Sequence, residues 1–155
     1  MKVYLASDHS GFEMKNAMAE FVRDTLKREV VDCGAFTLDC ADDYPVILGR
    51  AGKLLANDSR QGIRSCAIVF GGSGQGEAVA MNRFKHVRCG VFYGTDHVLN
   101  ADSTGHSYSV LESMRAHDDS NALSLACWQL TLPQAKDAVR AWLTVDIELE
   151  ERHIR

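Results

Sequence analysis

The sequence predicts an α/β fold: a three-layer sandwich with a five-stranded parallel sheet at its centre. Three observations carry this. Short apolar segments alternate with segments of helical spacing along the chain, the pattern of parallel strands covered by helices on both faces. The run Cys66-Ala-Ile-Val-Phe-Gly-Gly-Ser-Gly-Gln-Gly-Glu77 passes from an apolar strand through four glycines into a helix start. A chain of 155 residues, 46% hydrophobic and 25% charged, suits one globular domain over residues 1–155.

The elements follow in order. Lys2–Ser7 reads as the first strand, and Met14, Ala17, Met18, Phe21, Val22 and Leu26 then recur at helical spacing. Glu29–Cys33 is a short second strand ended by Gly34. Asp42-Asp43-Tyr44-Pro45 is a loop that launches a helix with Ile47, Ala51, Leu54 and Leu55 on one face. Ser65–Phe70 is the third strand, and a short helix covers Glu77–Asn82. Arg88–Tyr93 and Ala122–Cys127 are the fourth and fifth strands. Pro133 opens a last helix with Ala135, Ala138, Val139, Trp142 and Leu143 inward. The polar stretch Gly94–Ser107 breaks this rhythm and reads as a long surface loop near the same rim. The arrangement is Rossmann-like. In such sheets ligands bind beyond the carboxyl ends of the strands, where Asp8-His9 and the glycine turn both fall.

Composition narrows the partners. A net charge of -4 argues against nucleic acid as the main partner. No apolar run has the length of a membrane span, and no secretory signal is visible after Met1. The five cysteines are odd in number and form no Cys-x-x-Cys pair, which points to a reducing cytoplasm without disulfides or zinc.

The glycine turn aims backbone N–H groups at one point, where negative charge is stabilised. Glu77 beside it is a candidate general base; an acidic residue in a first helical turn is also what the helix dipole favours. The turn lacks the Lys-Ser/Thr ending of a P-loop and the Gly-x-Gly-x-x-Gly spacing of a dinucleotide site. Ser10 with Glu13 matches a capping box, which leaves Asp8 and His9 for acid–base work or phosphate contact. Arg115, His117 and Asp118 follow a short helical segment, where a cation at a helix end is ordinary. Arg152-His153-Ile154-Arg155 reads either as a solvated tail or as a bidentate phosphate clamp.

Together these pieces resemble the type B ribose-5-phosphate isomerases. Ser7-Asp8-His9-Ser10-Gly11-Phe12 is similar to that family's opening Ser/Cys-Asp-His-x-Gly-Phe. Val31-Asp32-Cys33-Gly34, Asp43-Tyr44-Pro45, Gly72-Ser73-Gly74-Gln75-Gly76 and Ala80-Met81-Asn82-Arg83 resemble further family motifs in the same order. So do Val87-Arg88-Cys89, Arg115-Ala-His117-Asp118 and Arg152-His153. Many members carry Cys before the turn; Gly71 with Glu77 resembles the subgroup that uses glutamate as its base.

The resemblance implies interconversion of ribose 5-phosphate and ribulose 5-phosphate through an enediolate, as in the pentose phosphate pathway, without metal or cofactor. It implies that Glu77 moves the carbon-bound proton, that His117 with Asp8 opens the sugar ring, and that Ser73 serves the hydroxyl protons. It implies that N–H groups near Gly72, Gly74 and Gly76 hold the oxyanion, and that His9 and Arg152 face the phosphate. Tyr44, Asn82, Arg115 and Asp118 would line the substrate. It further implies a homodimer or homotetramer with sites shared across the dimer. Some positions depart from the family. Ala126-Cys127-Trp128-Gln129 lacks the usual Gly-x-Arg, Asp118 stands for an Asn, the Gly94–Ser107 loop looks inserted, and Arg155 follows Arg152 by three positions instead of four. These departures keep two alternatives open: another phosphorylated sugar, such as a six-carbon aldose phosphate or a tetrulose phosphate, and a non-catalytic phosphosugar-binding homologue.

Overall fold

A computed structural model of the chain describes residues 1–94, 100–101 and 105–146. Arg152 and much of the Gly94–Ser107 stretch therefore lie outside the described residues. Five parallel strands form one sheet: β1 (Lys2–Ser7), β2 (Glu29–Asp32), β3 (Ser65–Gly71), β4 (Cys89–Phe92) and β5 (Ala122–Ala126). Their spatial order is β2-β1-β3-β5-β4. From β1 the chain goes outward to β2 and returns on the other side as β3, so the order reverses between β1 and β3. Such a reversal opens a crevice at the carboxyl ends of the two strands, because their connections leave to opposite faces. The register places Ser7 opposite Phe70 and Gly71 opposite Ala126.

Five helices make the outer layers: α1 (Phe12–Glu20), α2 (Tyr44–Arg60), α3 (Gln75–Met81), α4 (Val110–Ala116) and α5 (Leu132–Thr144). One face of the sheet packs Val3, Leu5, Ile68, Phe70, Leu123 and Leu125 against α1, α4 and α5, with Met18 and Trp142 fully buried. The opposite face packs Tyr4, Ala6, Ala67 and Val69 against Leu48, Ala51 and Leu55 of α2 and Met81 of α3. Each fully buried Leu- or Phe-sized side chain contributes about 1.5–3 kcal/mol. These alternating contributions explain why the predicted strands and helices form where they do.

Local chemistry fixes the ends. Thr131 and Gln134 form a capping box at the start of α5, as Ser109 and Glu112 do for α4. Asp43 and Pro45 open α2. Several details differ from the expectation. Leu54 is exposed, because α2 turns Leu48, Ala51 and Gly52 inward and the bare backbone of Gly52 packs on the Phe84 ring. Beyond Glu20 the first helix widens into a π turn over Phe21–Thr25. The last helix buries Trp142 fully and Leu143 only in part. All five cysteines are free thiols. Among the described residues no helix is long and apolar enough to cross a membrane.

Candidate functional site

The crevice between β1 and β3 is built from three chain segments. The first leaves β1 as a 3-10 turn over His9–Gly11. Asp8 caps it, its Oδ1 accepting the Gly11 N–H at 2.9 Å, while its own N–H donates to the Phe70 carbonyl at 3.2 Å. Gly11 lies so close to β3 that a Cβ there would meet Phe70 at 2.5 Å. The turn therefore sits directly on the neighbouring strand and aims Asp8 and His9 into the crevice.

The second segment is the glycine turn. Cys127 and Trp128 donate their N–H groups to the carbonyls of Gly71 and Gly72 at 2.9 and 3.0 Å, and Ser124 Oγ donates to the Gly74 carbonyl at 2.7 Å. Because a trans peptide points its C=O and the next N–H in opposite directions, the Gly72 and Ser73 N–H groups face away from β5. Gly74 adopts φ +74°, a left-handed conformation glycine takes without penalty, and it caps α3. The N–H groups of Gly76 and Glu77 fall in the first turn of that helix, where no preceding helical carbonyl can accept them. Ser73 Oγ accepts the Gln75 N–H at 3.3 Å.

Glu77 is 4% exposed, and its carboxylate lies against the backbone of Gly71. A Cβ on residue 71 would overlap the carboxyl group, so a side chain there and Glu77 in this rotamer exclude each other. Burial pushes the Glu77 carboxyl above its ordinary value, against the pull of its own N–H, and the neighbouring charges of Asp8 and Asp42 push the same way. Burial likewise raises Asp8, opposed by the Gly11 N–H and His9. Cys127, next to the turn, has its thiol pushed up to about 12 by burial, with Asp8 and Glu77 adding to the shift; at that value it stays a thiol.

The third segment is the loop before α2. His9 Nδ1 pairs with Asp42 Oδ1 at 2.8 Å, and that hydrogen bond raises the imidazole above its ordinary value. Tyr44 brings its hydroxyl against Gly76, where a Cβ would meet it at 3.0 Å. The crevice thus gathers Asp8, His9, Tyr44, Gly72, Ser73, Gly74, Gly76 and Glu77 from the expected set. It adds Asp42, which in the sequence is an ordinary residue of the loop before α2. The one available signal was the doubling of Asp before Tyr44-Pro45. Trp128 stands at the lip, 73% exposed, with its indole packed on the bare backbone of Gly72. Among the described residues, no group of three or more His, Cys, Asp or Glu side chains is placed to hold a metal ion.

Other expected residues lie elsewhere. α4 runs back along β4, with Leu111 in the cluster that holds Phe92 and Met114 against Gly90. Its end therefore reaches the amino edge of the sheet, where the Asp118 carbonyl accepts the Arg88 Nε–H at 3.1 Å. His117 sits there with Nδ1 3.3 Å from Ser113 Oγ and its ring edge-on to Tyr108. A strand's length, roughly 15 Å, separates this edge from the glycine turn. The expectation for Arg115 is corrected: its guanidinium is buried, donates Nε–H to the Val145 carbonyl at 3.1 Å and Nη1–H to the Ser120 carbonyl, and stacks on Trp142. Asn82 is corrected too. Its amide donates to the Cys89 carbonyl at 2.9 Å and accepts the Cys89 N–H at 2.8 Å, a clasp that holds the edge strand β4 instead of lining the crevice.

Comparison with known proteins places this geometry among relatives. A family model described as Ribose/Galactose Isomerase matches residues 3–155. The chain is 33% identical to ribose-5-phosphate isomerase B of Mycolicibacterium paratuberculosis, over 99% of this chain and 94% of the relative. Among solved structures it is similar to ribose-5-phosphate isomerase B from Mycoplasma genitalium with bound ribulose-5-phosphate. There the TM-score is 0.82 and identity 26%, over 99% of this chain and 90% of the other. The Clostridium thermocellum ribose-5-phosphate isomerase B matches with TM-score 0.77 and 28% identity, over 99% and 90%.

Proposed function

We propose that this chain, which belongs to the ribose/galactose isomerase family, interconverts ribose 5-phosphate and ribulose 5-phosphate. The observation that carries the reading is the Glu77 carboxylate seated against Gly71, beside a turn with outward N–H groups. From aldose to ketose, Glu77 removes the proton on carbon 2. The electron pair of that C–H bond forms the C1=C2 double bond, and the carbonyl electrons move to oxygen 1. The N–H groups of Gly72 and Gly76, with the turn around Gly74, stabilise that oxygen; one such donor lowers a barrier of this kind by about 3 kcal/mol. The proton on oxygen 2 passes to oxygen 1 through Ser73, and Glu77 returns its own proton to carbon 1. A carboxylate raised toward the working pH is the stronger base, and its buried setting suits proton transfer to and from carbon.

The remaining roles require a second copy. The crevice holds Asp8, Asp42 and Glu77 with His9 as its cation, so a phosphorylated sugar meets net negative charge unless cations come from outside. We assign ring opening to His117 of a neighbouring chain acting with Asp8, with Asp118 beside it. His9 takes the phosphate together with Arg152, and Tyr44 lines the sugar. The working form is then a homodimer or a homotetramer, in the cytoplasm, where free thiols are stable. The test is ribulose 5-phosphate formation by wild type and Glu77→Gln, with solvent deuterium read at carbon 1 of the product. Equal turnover by wild type and Glu77→Gln overturns Glu77 as the base; deuterium at carbon 1 measures how far the proton it carries exchanges with solvent.

Trp128 favours a second reading. It fills the lip with an apolar ring at the position where relatives are expected to carry an arginine. A different phosphorylated sugar would then be preferred, and a substrate panel ranked by kcat/KM decides between the two.

A further inference from the structure

The pair formed by His9 and Asp42 is more than a loop contact. Asp42 Oδ1 holds His9 Nδ1 at 2.8 Å, which leaves Nε2 as the nitrogen open to a ligand. The Asp42 side chain is only 8% exposed, and among the described residues its Oδ2 is buried without a hydrogen-bond partner. A buried carboxylate oxygen left unpaired is costly, and packing alone gives no reason to keep it. The two residues belong to segments far apart in sequence, the turn after β1 and the loop before α2.

We propose that Asp42 is the positioning residue for His9, fixing the ring with Nδ1–H inward and Nε2 toward the substrate phosphate. This rests on the reading that His9 meets phosphate. Asp42 then acts through His9 and does not touch the reacting carbons. The groups facing the imidazole are the carboxylates of Asp8, Asp39 and Asp42, all of which favour its protonated form, with the Asp42 hydrogen bond the largest influence. Asp42→Asn removes that charge, so the imidazole loses its proton at lower pH and phosphate binding weakens from a lower pH upward.

The test compares wild type, Asp42→Asn, Asp42→Glu, His9→Asn and the double variant His9→Asn/Asp42→Asn. Asp42→Asn is expected to raise KM about tenfold, the scale of a lost charge-assisted hydrogen bond, and to leave kcat within roughly threefold. The dissociation constant for inorganic phosphate rises in step. The His9 titration midpoint, followed by nitrogen NMR, moves down in Asp42→Asn and part of the way back in Asp42→Glu. The double variant is no worse than His9→Asn alone. Independent, additive losses overturn the proposal, as does a fall in kcat at constant KM. Unchanged phosphate affinity with an unmoved His9 midpoint also overturns it. If wild type fails to convert ribose 5-phosphate, the assigned reaction falls, while the phosphate and His9 titrations still decide the role of Asp42.

Discussion

Replacing Gly71 by alanine tests the seat of the base directly. The new methyl group would fall on the carboxyl carbon and both oxygens of Glu77, inside the 3.0 Å that a real Cβ keeps. Ordinary contact returns only if the carboxylate retreats by about an ångström, and a misplacement of that size costs roughly a hundredfold in rate. That corresponds to ~2.7 kcal/mol of barrier. Overfilling a packed site costs a further ~1–3 kcal/mol of stability, which for a chain of this length lowers the melting midpoint by about 2–12 °C. The assay is initial-rate ketose formation together with thermal unfolding of wild type, Gly71→Ala, Glu77→Ala and the double variant. In the double variant the clash has no second partner, so the stability lost in Gly71→Ala returns and the cycle is non-additive. A Gly71→Ala enzyme with a wild-type rate and midpoint would refute the placement of Glu77. Additive stabilities would refute the exclusion between the two positions.

Glu77→Gln is expected to lower kcat by about 10²–10⁴-fold with little change in KM; steady-state kinetics checks it. The same variant carries a pH signature. Because burial raises the Glu77 carboxyl in the fold, wild type keeps this contribution to stability below about pH 4, the unfolded value, and loses it as pH climbs through the raised value. Glu77→Gln is neutral throughout, so its melting midpoint exceeds that of wild type at pH 8 and the gap closes toward pH 4. Mixing Glu77→Gln with His117→Asn should restore about one quarter of wild-type activity, because half of randomly mixed dimers are hybrids and each hybrid holds one intact site; no recovery after subunit exchange argues against a shared site. Trp128→Arg should lower KM for ribose 5-phosphate by roughly three- to tenfold, the scale of an exposed charge-assisted contact, and an unchanged KM across the substrate panel would remove Trp128 from specificity.

The layers and strands were legible because each element announces itself locally. The apolar run into four glycines marks β3 and its turn, and helical spacing marks α5 with Trp142 inward. What local pattern does not contain is adjacency. Nothing in the chain says that β5 inserts between β3 and β4, yet this brings Cys127 and Trp128 onto the glycine turn. Asp42 reads as loop until the sheet places its segment beside His9. Arg115 and Asn82 carry the polarity of ligand-binding residues, but the fold gives their donors to backbone carbonyls at element ends. His117 was legible as chemistry and not as position: α4 joins β4 to the parallel strand β5, so its end returns to the amino edge, away from the glycine turn.

Positions 71 and 77 share a single small volume. In the history of such a sequence they would be inherited as one character. A lineage changing which residue supplies the base has to pass through a chain with both groups in collision or with neither present. Moving the base from one position to the other therefore takes two coordinated changes rather than one.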